Sequence, residues 1–350
     1  MQYNGTFILA PLDMVFITTY NIVNNVTRHG FLITYLWQKI EKDTGDNMFQ
    51  IVVDSAANIP AELVNKYQIQ VLSFVNYVDG KELVCFDPSL SPEEEREKGK
   101  KYYDAMRAGM DVKTGLISSG DFENCFRSIM EQNEDVLYFS LSKNISGTFN
   151  SARLAAETLM ENPPCGRKIR MVDSLNASLA QGILAIYASE MRSQGKEVDA
   201  VADLLETYPA KMNGVFTVGD LKYLAKTGRL SGSAALVGNL LKIKPILRGN
   251  KDGYIVQFKK CRGRKAALNT LINLVCDTIV EPENQIIGIA HADAYEDSLY
   301  VMEEIQKRIK VRDFINTSYD YCTGSHVGPD TIALFYMAKD RELGVTTDTE

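Results

Sequence analysis

Ile51-Val52-Val53-Asp54-Ser55 is a run of three β-branched apolar residues followed at once by an acid and a hydroxyl. Without polar alternation, such a run reads as a strand buried on both faces, in a parallel sheet, feeding a polar loop at its end. Downstream, Ile169 to Val172 ends the same way, in Asp173-Ser174. Between them Val136 to Phe139 is a third apolar run. It opens into Ser140-Leu141-Ser142-Lys143-Asn144-Ile145-Ser146-Gly147-Thr148 and then a helix through Leu159. A further helix should carry Leu175, Leu179, Ile183 and Ile186 on one face. Strands alternating with helices specify an α/β fold with a parallel sheet.

Nearer the start, Val71 to Val78 reads as one strand, and Asp79-Gly80 as a turn. Ser91-Pro92-Glu93-Glu94 carries a capping box with proline in the first turn, so a helix should run to about Arg107 and stop at Gly109. Lys113 to Ser118 reads as a loop, followed by a helix from about Asp121.

Beyond Pro209 to Gly214 the pattern changes. A short helix, Asp220 to Thr227, ends at Gly228, and an apolar one covers Ser233 to Leu241. Lys244 to Leu247 and Tyr254 to Phe258 flank Asp252-Gly253 as a hairpin. Ile286 to Ile289, Thr317 to Tyr321 and Ile332 to Met337 are further strands, with helices over about Arg264 to Ile279 and Tyr295 to Lys310. Strands outnumber helices here, so this sheet should be mixed. The expected organisation is an extension over 1–48, an N-terminal parallel-sheet α/β domain over 49–213, a C-terminal mixed-sheet α/β domain over 214–340, and a tail over 341–350.

Composition narrows the function classes. The 350 residues are 45% hydrophobic and 24% charged, ordinary for a globular protein, and the formal charge of −7 argues against nucleic-acid binding. Six widely spaced cysteines include no zinc-like pair and read as reduced, mostly buried thiols, which suits a cytoplasmic protein. Pro11, Asp13, Asn21, Asn24, Asn25 and Arg28 interrupt the apolar runs near the N-terminus. No stretch approaches the ~18 apolar residues of a spanning helix, so no stable membrane insertion is expected. No phosphate-binding glycine loop, no GxSxG and no metal-spaced histidine pair is present, and neither cofactor nor metal is expected.

Two hydroxyl-rich loops, Thr114 to Ser118 and Ser140 to Thr148, precede helices, whose N-terminal N–H groups favour anions. The plainer reading makes Ser118 or Ser119 and Ser146 helix caps. Arg229, just past a glycine helix stop, reads more readily as a C-terminal helix charge than as a ligand contact. His326, in Gly324-Ser325-His326-Val327-Gly328-Pro329, reads as an accessible loop histidine, and His291 as a core one.

Taken in order, several blocks resemble the DegV family of fatty-acid-binding proteins. They are Val53-Asp54-Ser55 with Ile59-Pro60, Lys113-Thr114, Leu141-Ser142 through Ala152, Val172-Asp173-Ser174, Leu221 to Leu224 through Gly228-Arg229-Leu230-Ser231, Gly238 to Pro245, and His326-Val327-Gly328-Pro329. The resemblance covers 49 to about 338. It implies two α/β domains with a fatty acid at their interface, its carboxylate held by hydroxyls of the first two loops. It also implies presentation of that carboxylate to a fatty acid kinase, whose acyl phosphate product enters phospholipid synthesis, with no catalysis by the chain itself. By position, Thr114, Arg229 and His326 match the family's head-group residues, with Ser142, Lys143 and Ser146 in the second loop and Asp54, Ser55 and Ser118 as secondary candidates. Two departures stand at the pocket. Lys143 replaces a serine, and Gly115-Leu116-Ile117 replaces Ser-Gln-Pro. Two other readings remain: a serine hydrolase or acyltransferase pairing Ser146 or Ser142 with His326, and a small-anion sensing module.

Overall fold

A computed structural model of the chain describes residues 49–231 and 243–341. The extension over 1–48, the apolar helix expected over Ser233 to Leu241 and the tail from 342 lie outside them.

The first half runs β1 (Phe49–Asp54), α1 (Ala61–Lys66), β2 (Ile69–Leu72), β3 (Val75–Val78), β4 (Lys81–Val84) and α2 (Pro92–Arg107). It continues through β5 (Val112–Thr114), α3 (Ser119–Glu131), β6 (Asp135–Ser140), α4 (Thr148–Met160) and β7 (Ile169–Asp173). Then come α5 (Leu179–Ser193), α6 (Val198–Leu205), β8 (Met212–Thr217), α7 (Lys222–Lys226), β9 (Ile243–Gly249) and β10 (Ile255–Arg262). The last elements are α8 (Arg264–Thr278), β11 (Ile286–His291), α9 (Tyr295–Gln306), β12 (Asp313–Ser318), α10 (Tyr321–Val327) and β13 (Ile332–Met337).

Three sheets result. β2-β1-β6-β7 is parallel throughout, β10-β9-β8-β13-β11-β12 is mixed, and β4-β3-β5 is a small antiparallel sheet. In the mixed sheet only β11 and β12 run parallel.

Strand alternation sorts side chains into layers. In β1, Val52 points to α3 and α4, where it packs with Phe122, Phe126 and Ala155. Ile51 and Val53 point the other way, onto α5. In β13, Ala333 and Phe335 also face the α5 layer, whereas Ile332 and Leu334 face α8 and α9. Helix α5 is therefore buried between the two large sheets, against β1 and β6 on one side and β8, β11 and β13 on the other. Two glycines admit it: a Cβ on Gly182 would lie 2.8 Å from Ala57 O, and one on Gly288 2.7 Å from Leu179 Cβ.

Local signals held where chemistry was local. Ser91 accepts from Glu94 N, and Glu94 accepts from Ser91 N, closing the capping box of α2. Asp79 and Gly80, both at positive φ, make the two-residue turn of the β3–β4 hairpin.

Elsewhere the structure corrects the sequence reading. Val71 to Val78 is two strands, because Ser55 Oγ captures Phe74 N (3.1 Å) and Ser73 Oγ accepts from Cys85 N and Phe86 N (3.1 Å each). Lys113 and Thr114, expected in a loop, belong with Val112 to a strand that pairs with β3. Leu175 precedes α5 with φ +49 and is not on its face. The strand expected at Thr317 to Tyr321 ends at Ser318, because Asp320 caps α10 by accepting from Thr323 N (2.8 Å). His326 consequently sits on a helix.

All six cysteines are free, and Cys85, Cys125, Cys261 and Cys322 are buried. Among the described residues no helix is long and apolar enough to cross a membrane.

Candidate functional site

The loops that follow β1, β6 and β7 line a cavity together with residues of the mixed sheet, at the strand ends where open α/β sheets place their ligands. Its empty space is ≈ 920 Å³, open mouth included. Apolar walls come from both large sheets and their loops, including Leu141, Ile145, Phe216, Leu224, Ile255 and Phe335. Thr114, Ser146, Arg229 and His326 add polar groups to that wall.

Each polar residue arrives by a traceable route. Thr114 ends β5, which is registered on β3 through Asn76. The buried Asn76 side chain donates to Tyr102 OH (3.1 Å), and Tyr102 OH donates to Tyr321 O (3.0 Å) at the start of α10. This chain of bonds ties the small sheet to the helix that carries His326. Thr114 Oγ1 and His326 Nε2 meet at 3.3 Å. His326 Nδ1 is buried without a partner among the described residues. Burial, reinforced by Arg229, pushes the His326 pKa down to about 4, so the ring is neutral near pH 7. The Arg229 guanidinium is steadied by Thr227 O and by Ile145 O (Nε, 3.3 Å).

The second loop divides. Ser146 lines the cavity, its Oγ 2.9 Å from Thr148 Oγ1 and accepting from Thr148 N (3.2 Å). Ser142 is fully buried and structural, its Oγ accepting from Asn144 N (3.2 Å). Lys143 faces outward, its side chain 56% exposed and its Nζ 3.8 Å from Asp173. Neither Ser142 nor Ser146 is hydrogen-bonded to His326, so the serine–histidine pairing of a hydrolase is not formed among the described residues.

The secondary candidates have supporting places. Ser118 is a solvent-facing cap that closes a box with Asp121. Ser55 Oγ donates to Asp320 Oδ2 (3.1 Å) and Asn58 Nδ2 to Asp320 Oδ1 (3.1 Å), so the parallel sheet grips the N-cap of the histidine helix. Asp54 is wholly buried, accepting from Tyr138 OH (2.9 Å). Burial pushes its pKa up to about 7, with Tyr138 and Gln181 offsetting part of the rise. His291 is buried at the end of β11, as the core reading expects.

Sequence reasoning missed Asn176, Ser178 and Tyr319, which also line the cavity. Ser178 stands one residue before α5, and a search for helix caps would have found it.

The geometry can hold a ligand with an anionic end and a long apolar body, an assignment that comparison with known proteins bears on. The model of the DegV family, described as an uncharacterised protein family, matches residues 48–339. A DegV domain-containing protein of Clostridium perfringens is 35% identical over 295 residues, covering 84% of this chain and 99% of its own. Among solved structures, a DegV lipid-binding protein of Thermotoga maritima superposes with a TM-score of 0.70 at 30% identity, covering 84% of this chain and all of its own. A second Thermotoga maritima protein, whose structure reveals fatty acid binding, gives 0.69 at 29% identity, covering 83% of this chain and 99% of its own.

Proposed function

This chain belongs to the DegV family, and from that premise we propose that it binds one long-chain fatty acid and presents its carboxylate to a fatty acid kinase in the cytoplasm. The carrying observation is the cavity itself, an apolar space walled by both large sheets that bears Thr114, Ser146, Arg229 and His326. The carboxylate lies among these four groups, and Thr114 with neutral His326 donates to it. A buried carboxylate is costly unless donors or charge compensate it, and Arg229 supplies the charge. The tail follows the apolar walls, each buried methylene contributing about 0.8 kcal/mol.

Residues 49–213 and 214–340 act as two domains with the ligand between them. The head group lies beside Leu116, which is 59% exposed at the cavity edge. A kinase there reaches the carboxylate without drawing the tail out. The chain supplies the bound acid, and the kinase supplies the phosphoryl transfer.

Solvent extraction and native mass spectrometry of the purified chain should yield a fatty acid of about 14 to 20 carbons. Protein that emerges empty and refuses added palmitate and oleate would overturn the reading.

A further inference from the structure

The turn between β7 and α5 carries polar groups that head-group binding does not use. Ser178 has φ +59 and ψ −143, and Leu175 has φ +49, both unusual for residues with side chains. Such backbones persist where surrounding structure enforces them, commonly at ligand clamps. Ser178 stands at the N-cap of the 15-residue helix α5 yet makes no side-chain cap bond. Its Oγ is buried in the cavity wall, the residue 1% exposed, with no hydrogen-bond partner among the described residues. Tyr319 lines the same wall. Burial raises the Tyr319 pKa and the nearby Ser178 hydroxyl partly offsets this, although the two oxygens do not meet hydrogen-bond geometry.

A buried hydroxyl left unpaired is costly, and in an otherwise apolar passage it favours any ligand atom that can satisfy it. Its place along the passage follows from α10. Tyr319 stands two residues before that helix and His326 near its far end, and the helix alone rises about 7.5 Å from Tyr321 to His326. A group beside Tyr319 is thus several methylenes from a carboxylate at His326.

We propose that Ser178 and Tyr319, at the N-terminus of α5, form a second polar subsite that takes a mid-chain hydroxyl, so that the preferred ligand class is a hydroxylated long-chain fatty acid. The inference rests on the fatty-acid reading of the cavity and narrows it. The ligand hydroxyl donates to Ser178 Oγ and accepts from Tyr319 Oη, while plain acyl chains leave the serine unpaired.

Delipidated full-length protein would be titrated with stearate and with stearates bearing one hydroxyl at successive mid-chain positions. At one or two adjacent positions the hydroxylated acid should bind about tenfold tighter than stearate. Ser178→Ala should bring that ratio close to unity, and Tyr319→Phe, which keeps the ring packed, should lower it independently. If no isomer outbinds stearate, or if the preference survives both substitutions, the subsite is wrong while the fatty-acid reading stands. If neither stearate nor any hydroxylated isomer binds, the underlying reading fails with it.

Discussion

Thr114 and His326 touch each other within the cavity wall, whereas Lys143 is turned to solvent beside Asp173. Thr114→Val and His326→Gln should each weaken fatty acid binding roughly tenfold or more, the usual cost of losing a bond to a charged group. Lys143→Ala should bind within about twofold of the parent, because exposed ion pairs contribute little. Calorimetric titration with oleate separates the two, and a large loss from Lys143→Ala would contradict its outward place. Asp54 offers a pH test. Its folded pKa of about 7 lies above the ordinary 3.8. Below the ordinary value it is protonated folded or unfolded, and its neutral form suits the burial. As pH rises from about 4 to 7 the unfolded carboxyl ionises freely while the buried one resists, so stability falls across that window. Asp54→Asn imitates the neutral acid, and should flatten the fall and stabilise the fold above pH 7 by on the order of a few kcal/mol. Urea midpoints from pH 4 to 8 would show it; parallel curves for parent and variant would refute it. Thr114, Arg229 and His326 were legible because each stands in a distinctive short block. The grip of Asn58 on Asp320 and the bond from Tyr102 to Tyr321 were not, since these contacts cross more than 200 residues of chain.

Two helices were legible because their starts carry complete capping boxes. The caps of α2 and α3 close over three residues and need nothing distant. Ser118→Ala should therefore cost about 1 kcal/mol of stability and leave fatty acid affinity unchanged. Thermal melts and titrations run side by side would decide between a cap and a ligand contact. The break between β2 and β3 was hidden because both halves are equally apolar and Ser55, far upstream, makes the cut. Helix α10 was hidden by Gly324 within it and Gly328 just past it, which suggest a loop. Gly324 is instead required by packing: a Cβ there would stand 2.0 Å from Tyr103 OH.

For the whole molecule, a ligand walled by both large sheets binds the folded chain and not the unfolded one. Mass action then adds about 2.7 kcal/mol at a free concentration one hundred times Kd. Delipidation should lower Tm by several degrees, and added long-chain fatty acid should restore it in a concentration-dependent way, whereas acetate should not. The change of sheet was visible in the shift of pattern near Pro209 to Gly214. The burial of α5 between both sheets was not, since one apolar face and two apolar faces differ little in a helix this rich in alanine.

That shared helix has a kinetic consequence. Neither large sheet can expose its inner face without stripping α5, so no partial opening frees the helix amides while the rest stays folded. In deuterated buffer the central amides of α5, Ile183 to Ala188, should exchange last, at the rate of global unfolding. The amides of β3 and β4 at the edge should be labelled long before.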